Sequence, residues 1–320
     1  MRRISIFNHK GGVGKTTLTF NIAASLARLG ARVLLVDSDP QCNLSAYLIE
    51  DEVLDDMLDK SDKREGRTIW SALKPVVETS SDVKVVEPLE LARNLYLVPG
   101  DIRLSDFESD LGELWRECFQ RKRRGFAGTA AINTLVEMLC QKHGFDFVFF
   151  DTAPSVGPLN RAILLGCDHF IVPVAYDLFS VRALKTLGRS LHSWISDYKT
   201  ISAIAPADMP LLPGRPKFLG YIPQNFSVYR GGVASHQKRY IALLDRGIQT
   251  DIAQVLKEFD VVSLRQSPRL GEVKNFGTLV TAAQREGRTI YEASAGTPAQ
   301  RDMARAAFRQ IAQKIIQRTK

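Results

Sequence analysis

Cysteine is sparse and scattered: Cys42, Cys118, Cys140 and Cys167 form no C-x-x-C pair. Neither a disulfide framework nor a zinc or iron–sulfur site is indicated, and buried, reduced thiols are the expectation. Long apolar runs are also missing, since no stretch approaches the roughly 18 to 20 residues needed to span a bilayer. The chain enters its first strand without a signal-peptide pattern, so a cytosolic protein is expected. Internal repeats, low-complexity segments and an N-K-x-D guanine motif are absent as well. What remains is a chain of 320 residues, 45% hydrophobic, able to bury a large core.

Glycine is concentrated where it is informative. Residues 7 to 17 read FNHKGGVGKTT, which contains most of the phosphate-binding pattern G-x-x-x-x-G-K-[ST] but has His9 where the first glycine belongs. A second lysine, Lys10, follows that departure. The short β-branched run Arg3–Asn8 predicts a strand, and apolar residues at helical spacing from Thr16 to Leu29, stopped by Gly30, predict a helix. Strand, glycine loop and helix are the context the motif requires. Gly11, Gly12 and Gly14 let backbone N–H groups converge on phosphate oxygens where a Cβ would obstruct them. Lys15 is placed to reach the β- and γ-phosphates and the Thr16 hydroxyl to bind Mg²⁺.

Two further segments share one design. Val33–Val36 is a continuous apolar strand ending in Asp37, Asp39, Pro40, Gln41 and Asn43, and Phe147–Phe150 ends in Asp151. Such strands suit a parallel sheet buried on both faces, with polar residues emerging at the carboxyl ends where ligands bind. Asp151 is placed to help hold Mg²⁺; helix-cap or turn roles are the alternative for each aspartate.

Lys10-Gly11-Gly12-Val13-Gly14-Lys15-Thr16-Thr17, Asp37-Ser38-Asp39-Pro40-Gln41 and Asp151-Thr152-Ala153-Pro154 together resemble the deviant Walker A ATPases of the ParA/MinD group. The segments 94–111 and 169–184 are similar to that group's strands on either side of its third motif. The resemblance implies a doubly wound, mostly parallel α/β P-loop fold over residues 1–320 as a single domain, with ATP and Mg²⁺ as cofactors. It implies nucleotide contacts from Gly11 through Thr17, and metal contacts from Thr16, Asp39 and Asp151. Asp39 would orient the attacking water, while Lys10 would cross a dimer interface to the partner's nucleotide and Lys15 would serve its own. Gln224 and Asn225, just past a strand tip, are candidates to hydrogen-bond adenine, with a turn role open for Asn225.

The group divides by use, and so do the readings. ParA-type proteins segregate DNA or position cargo, MinD-type proteins ride membranes, and the metal-handling branches use paired cysteines that this chain lacks. Only seven residues precede Asn8, too few for an operator-binding domain, so any DNA binding is expected to lack strong sequence preference. The net charge is +8, and residues 257–320 hold twelve Lys/Arg against six Asp/Glu. That excess suits nucleic acid, anionic lipid or plain solvent. Arg265, Arg269 and Lys274 are the candidate DNA contacts, whereas Arg121–Arg124 reads as a solvated helix end. Phe308, Ile311 and Ile315, flanked by Arg305, Arg309, Lys314 and Arg318, form a stripe that either docks on the protein's own sheet or lies on a membrane. A homodimer on ATP binding and a stimulating partner protein complete the expectation. The alternatives are a MinD-like membrane regulator and an ATPase subunit controlling an effector protein. Further strands are expected at 217–222 and 260–264, and a long helix at 233–259.

Overall fold

The computed structural model describes residues 1–79, 82–226, 228–229, 232–233, 235–261 and 267–320, with side chains described outside 225–238. The first half runs β1 (Arg2–Ile6), α1 (Lys15–Arg28), β2 (Val33–Asp37), α2 (Asn43–Leu48), α3 (Asp51–Asp59), α4 (Ile69–Thr79), β3 (Leu89–Ala92), β4 (Leu95–Val98), α5 (Leu104–Phe119), α6 (Arg123–His143) and β5 (Phe147–Asp151). It continues through α7 (Pro158–Gly166), β6 (His169–Val174), α8 (Leu178–Ile204), β7 (Lys217–Phe226), the short pair β8 (Val228–Tyr229) and β9 (Gly232–Val233), and α9 (Ser235–Gly247). A π-helical segment, Ile248–Ala253, joins α9 to α10 (Gln254–Glu258), followed by β10 (Val273–Lys274), α11 (Thr278–Arg285) and α12 (Pro298–Arg318).

Among the described residues, eight strands form one sheet in the order β10-β7-β6-β1-β5-β2-β4-β3. Neighbours are parallel except β3 and β4. Every residue of β2 (VLLVD) and β5 (FVFFD) is buried, because alternate side chains enter different apolar layers. Val33, Leu35, Phe147 and Phe149 join the layer built by α1, α11 and α12, while Leu34, Val36, Val148 and Phe150 join that of α4, α5 and α6. This is the doubly wound, mostly parallel α/β sheet expected. Parallel register brings Asp37 opposite Asp151 at the carboxyl ends of adjacent strands.

The C-terminal stripe is decided by packing. N-cap Thr297 and Gln300 form a reciprocal capping box around Pro298, which starts α12. Phe308, Ile311 and Ile315 are fully buried in the layer that also holds Ile22 and Leu26 of α1. The stripe therefore docks on the protein's own core, and among the described residues no helix is long and apolar enough to cross a membrane. The expected helix at 233–259 corresponds to α9, the π segment and α10. The expected strand at 260–264 falls largely outside the described residues; β10 is the strand that lies beside β7. In the basic run, Lys122 and Arg124 share Glu117 and Arg123 pairs with Asp208, so two carboxylates offset part of its charge.

Truncating Phe308 leaves a cavity under α12 that the surrounding sheet cannot close. Phe308→Ala is expected to cost about 3 to 5 kcal/mol, whereas Met303→Ala, on the exposed side of the same helix, should change stability by no more than about 0.5 kcal/mol. Equilibrium urea unfolding followed by circular dichroism measures both; equal effects would mean that α12 is not seated on the core.

Candidate nucleotide site

The loop between β1 and α1 is held open by backbone geometry. Gly12 and Gly14 take left-handed conformations, φ +70° and +69°, which glycine adopts without the penalty a Cβ would bring. Gly14 caps α1, yet no side chain accepts from the first turn, and that turn contains no acidic residue. Its N–H groups and the positive end of the helix dipole are thus left for an anion. Asn8 fastens the loop from beneath: its Nδ2 donates to the Pro173 carbonyl at 2.8 Å, and its Oδ1 accepts the Lys10 N–H at 2.9 Å.

The two lysines diverge. Lys15 is buried, and its Nζ approaches the Lys10 carbonyl at 3.5 Å. Burial lowers its pKa, against the opposing pull of Asp151 and Asp39. The Lys10 ammonium points elsewhere, 2.5 Å from Asp177 Oδ2 and 3.2 Å from Ser180 Oγ at the start of α8. His9, where the pattern's first glycine would stand, has its pKa lowered by burial and then by Lys15. That shift favours the neutral imidazole, which adds no third positive charge beside Lys10 and Lys15.

Three carboxylates lie at the adjoining strand tips. Asp151 is fully buried, and its Oδ1 accepts from Thr19 Oγ1 at 3.5 Å; the nearby Thr16 hydroxyl acts to lower its pKa. Its Oδ2 is buried with no partner. Burial, then Asp37, raises the Asp151 pKa, and burial likewise raises that of Asp37. Asp37 Oδ2 accepts from the Ser45 N–H at 2.8 Å and the Ser45 hydroxyl at 2.7 Å, while its Oδ1 accepts the Asp39 N–H at 3.3 Å. Asp39 is oriented by its own turn: Oδ1 accepts the Gln41 N–H at 2.9 Å and Oδ2 accepts from Asn43 Nδ2 at 3.1 Å.

These residues fit a nucleotide with a hard cation. The orphaned Asp151 oxygen beside the Thr16 hydroxyl offers oxygen donors of the kind Mg²⁺ takes, and the uncapped helix end above the buried Lys15 is a cradle for phosphate. Of the three expected metal ligands, Asp151 alone keeps a buried oxygen without a partner.

Gln224 braces the loop. It is buried, its Nε2 donates to the Val13 carbonyl, and its Oε1 lies 2.6 Å from where a Cβ on Gly14 would sit. Its Nε2 thus faces the loop, as a brace from β7. The Asn225 side chain lies outside the described residues, as does Arg265. Arg269 pairs with Glu272 and donates to Tyr176 Oη at 2.8 Å, so the structure does not present it as a free cation beside Lys274. Sequence reasoning set Asp37 at a strand tip without giving it a role, and missed Asn8 and Asp177 as site residues. Each carried a signal: Asp37 and Asp177 both end apolar runs, as Asp151 does, and Asn8 precedes the motif directly.

A strand–loop–helix of this geometry, with carboxylates at the neighbouring parallel strand tips, defines a P-loop nucleotide-binding protein. The chain belongs to the family described as AAA domain (AAA_31), which matches residues 1–202, and it is a ParA-like member of the P-loop ATPases. It is 27% identical over 99% of both chains to the uncharacterized protein MJECL24 of Methanocaldococcus jannaschii. It is 29% identical to the chromosome partitioning protein ParA of Caulobacter vibrioides, over 60% of this chain and 62% of that one. Thus it spans less than two thirds of ParA's length. Among solved structures, protein DIP2308 of Corynebacterium diphtheriae is 26% identical over 100% of this chain and 99% of its own, with a TM-score of 0.75. The ATP complex of a Cyanothece McdA variant shares the fold at 18% identity, covering 98% and 96% of the two chains, with a TM-score of 0.65.

Alanine at position 14 must adopt a left-handed φ and displace Gln224. Gly14→Ala is expected to weaken nucleotide binding about tenfold or more, from backbone strain of order 1 to 3 kcal/mol. Gly112→Ala on α5, where a Cβ meets open space, should leave binding unchanged. Titration with a fluorescent ATP analogue reads both, and unaltered binding by Gly14→Ala would show that the loop tolerates a Cβ.

Proposed function

We propose that this chain is a single-domain, Mg²⁺-dependent ATPase that acts as an ATP-driven dimerising switch for DNA segregation or cargo positioning. The observation that carries the reading is the divergence of the two lysines: Lys15 is committed to its own loop, while the Lys10 ammonium is turned away from that loop to Asp177 and Ser180 at the start of α8. A second lysine aimed back at the same phosphates would crowd like charges; turned away from them, it can serve another copy.

The residues divide the work. Lys15 and the N–H groups of Gly11 through Thr17 bind phosphate oxygens, and Thr16 with Asp151 holds the cation. Asp39, held in one orientation by Gln41 and Asn43, directs water. Lys10 reaches the partner's site and stabilises charge there, an arrangement worth about 10³ to 10⁵ in rate when an arginine supplies it. Bound MgATP contributes the transferable phosphoryl group. DNA or cargo is favoured over membrane because the apolar stripe of α12 is buried, and the ParA relative is a chromosome partitioning protein.

Light scattering with Mg²⁺ and a non-hydrolysable ATP analogue is expected to show a dimer, and a mass that stays monomeric at saturation would remove the switch. Lys15→Ala should lose nucleotide binding. Asp39→Ala should accumulate as the ATP-bound dimer, and Lys10→Ala should bind ATP without hydrolysing it. Mixed Lys10→Ala and Asp39→Ala chains should recover turnover in one site of the heterodimer, and no recovery despite heterodimers would exclude action in trans.

The ATP-bound dimer is further expected to bind unrelated DNA duplexes alike, more weakly as salt rises, because each phosphate contact releases counterions. Fluorescence anisotropy at low and physiological salt measures this. Undetectable binding at both would favour the membrane or effector readings.

A further inference from the structure

We infer that Asp177 is a latch for Lys10: it keeps the lysine's ammonium within its own chain, and this contact must open before Lys10 can reach a second copy. The inference rests on the proposed action of Lys10 in trans and adds a residue that controls it.

The seat is built before the lysine arrives. Asp177 is the N-cap of α8, and its Oδ1 accepts the Ser180 N–H at 2.7 Å, which fixes the carboxylate and turns Oδ2 toward Lys10. Ser180 Oγ, the second partner of the ammonium, is itself fixed by accepting the Ala175 N–H at 3.0 Å. The root of Lys10 is pinned as well, its N–H on Asn8 and its carbonyl facing Lys15. The side chain is therefore tethered at both ends, from β1's loop to β6's tip. Burial pushes the Asp177 carboxyl up, but hydrogen bonds from Lys10 and Ser180 outweigh it, and the pKa is lowered. The Lys10 side chain is 24% exposed and that of Asp177 39%. Both are wet enough for the pair to open without stranding a buried charge.

An ion pair of this exposure is weak, and that suits a latch. If opening costs each chain a factor of about three to five, only that fraction has Lys10 free, and apparent affinity falls accordingly. A symmetric dimer opens two latches, so the factors multiply to roughly tenfold to twenty-five-fold in the dimerisation constant.

Asp177→Asn separates the latch from the cap, because asparagine also caps helices well while carrying no charge. With the full chain, Mg²⁺ and a non-hydrolysable ATP analogue, sedimentation or light scattering should show Asp177→Asn dimerising at roughly tenfold lower protein concentration than wild type. The Lys10→Ala/Asp177→Asn double variant should lose this gain, which a general effect on α8 would not. In the nucleotide-free chain, the Lys10 amine should react severalfold faster with acetic anhydride in Asp177→Asn than in wild type. If wild type dimerises and Asp177→Asn dimerises no more readily, or less, the latch is wrong while the trans action stands. If wild type never dimerises with nucleotide, the trans reading falls and the latch with it.

Discussion

One buried cation among buried carboxylates is the constraint on which the site depends. Lys15 is withdrawn from water at the head of α1, and Asp37, Asp39 and Asp151 are withdrawn at the tips of β2 and β5. Charges buried in this way are costly unless paired or hydrogen-bonded. Asp37 is satisfied by Ser45 and Asp39 by its own turn, so Asp151 is left as the carboxylate with capacity to spare. The protein keeps a polar deficit where a cation can relieve it.

The rest of the sheet holds that deficit in place. β1 lies between β5 and β6, so the loop at its tip is flanked on one side by Asp151 and on the other by Asp177. Asn8 ties the loop to Pro173 of β6, and Gln224 braces it from β7. Since β7 also pairs with β10, the phosphate loop and the basic C-terminal region share one rigid sheet.

The C-terminal quarter shows how packing reassigns features that look alike in a sequence. A stripe of Phe308, Ile311 and Ile315 beside arginines is compatible with a membrane face or a core face. The deciding fact is a partner layer: α1 presents Ile22 and Leu26 to it, and the arginines are left at the rim. Arg269 makes the same point for charge, because its neighbour Glu272 neutralises part of what sequence counting credits to a DNA surface.

By itself the sequence determined the parallel α/β class and the phosphate loop. Those depend on local rules: apolar runs of strand length, glycines where a Cβ is excluded, a lysine and threonine at fixed spacing. It also placed Asp37, Asp39 and Asp151 at strand tips, because a strand buried on both faces can show polarity only at its ends. What it left open were the partners of those groups. The Lys10–Asp177 pair, the Gln224–Val13 brace and the Asp37–Asp151 register join residues 167, 211 and 114 positions apart. No periodicity encodes such separations; they follow from which strands lie side by side, and only the assembled sheet decides that.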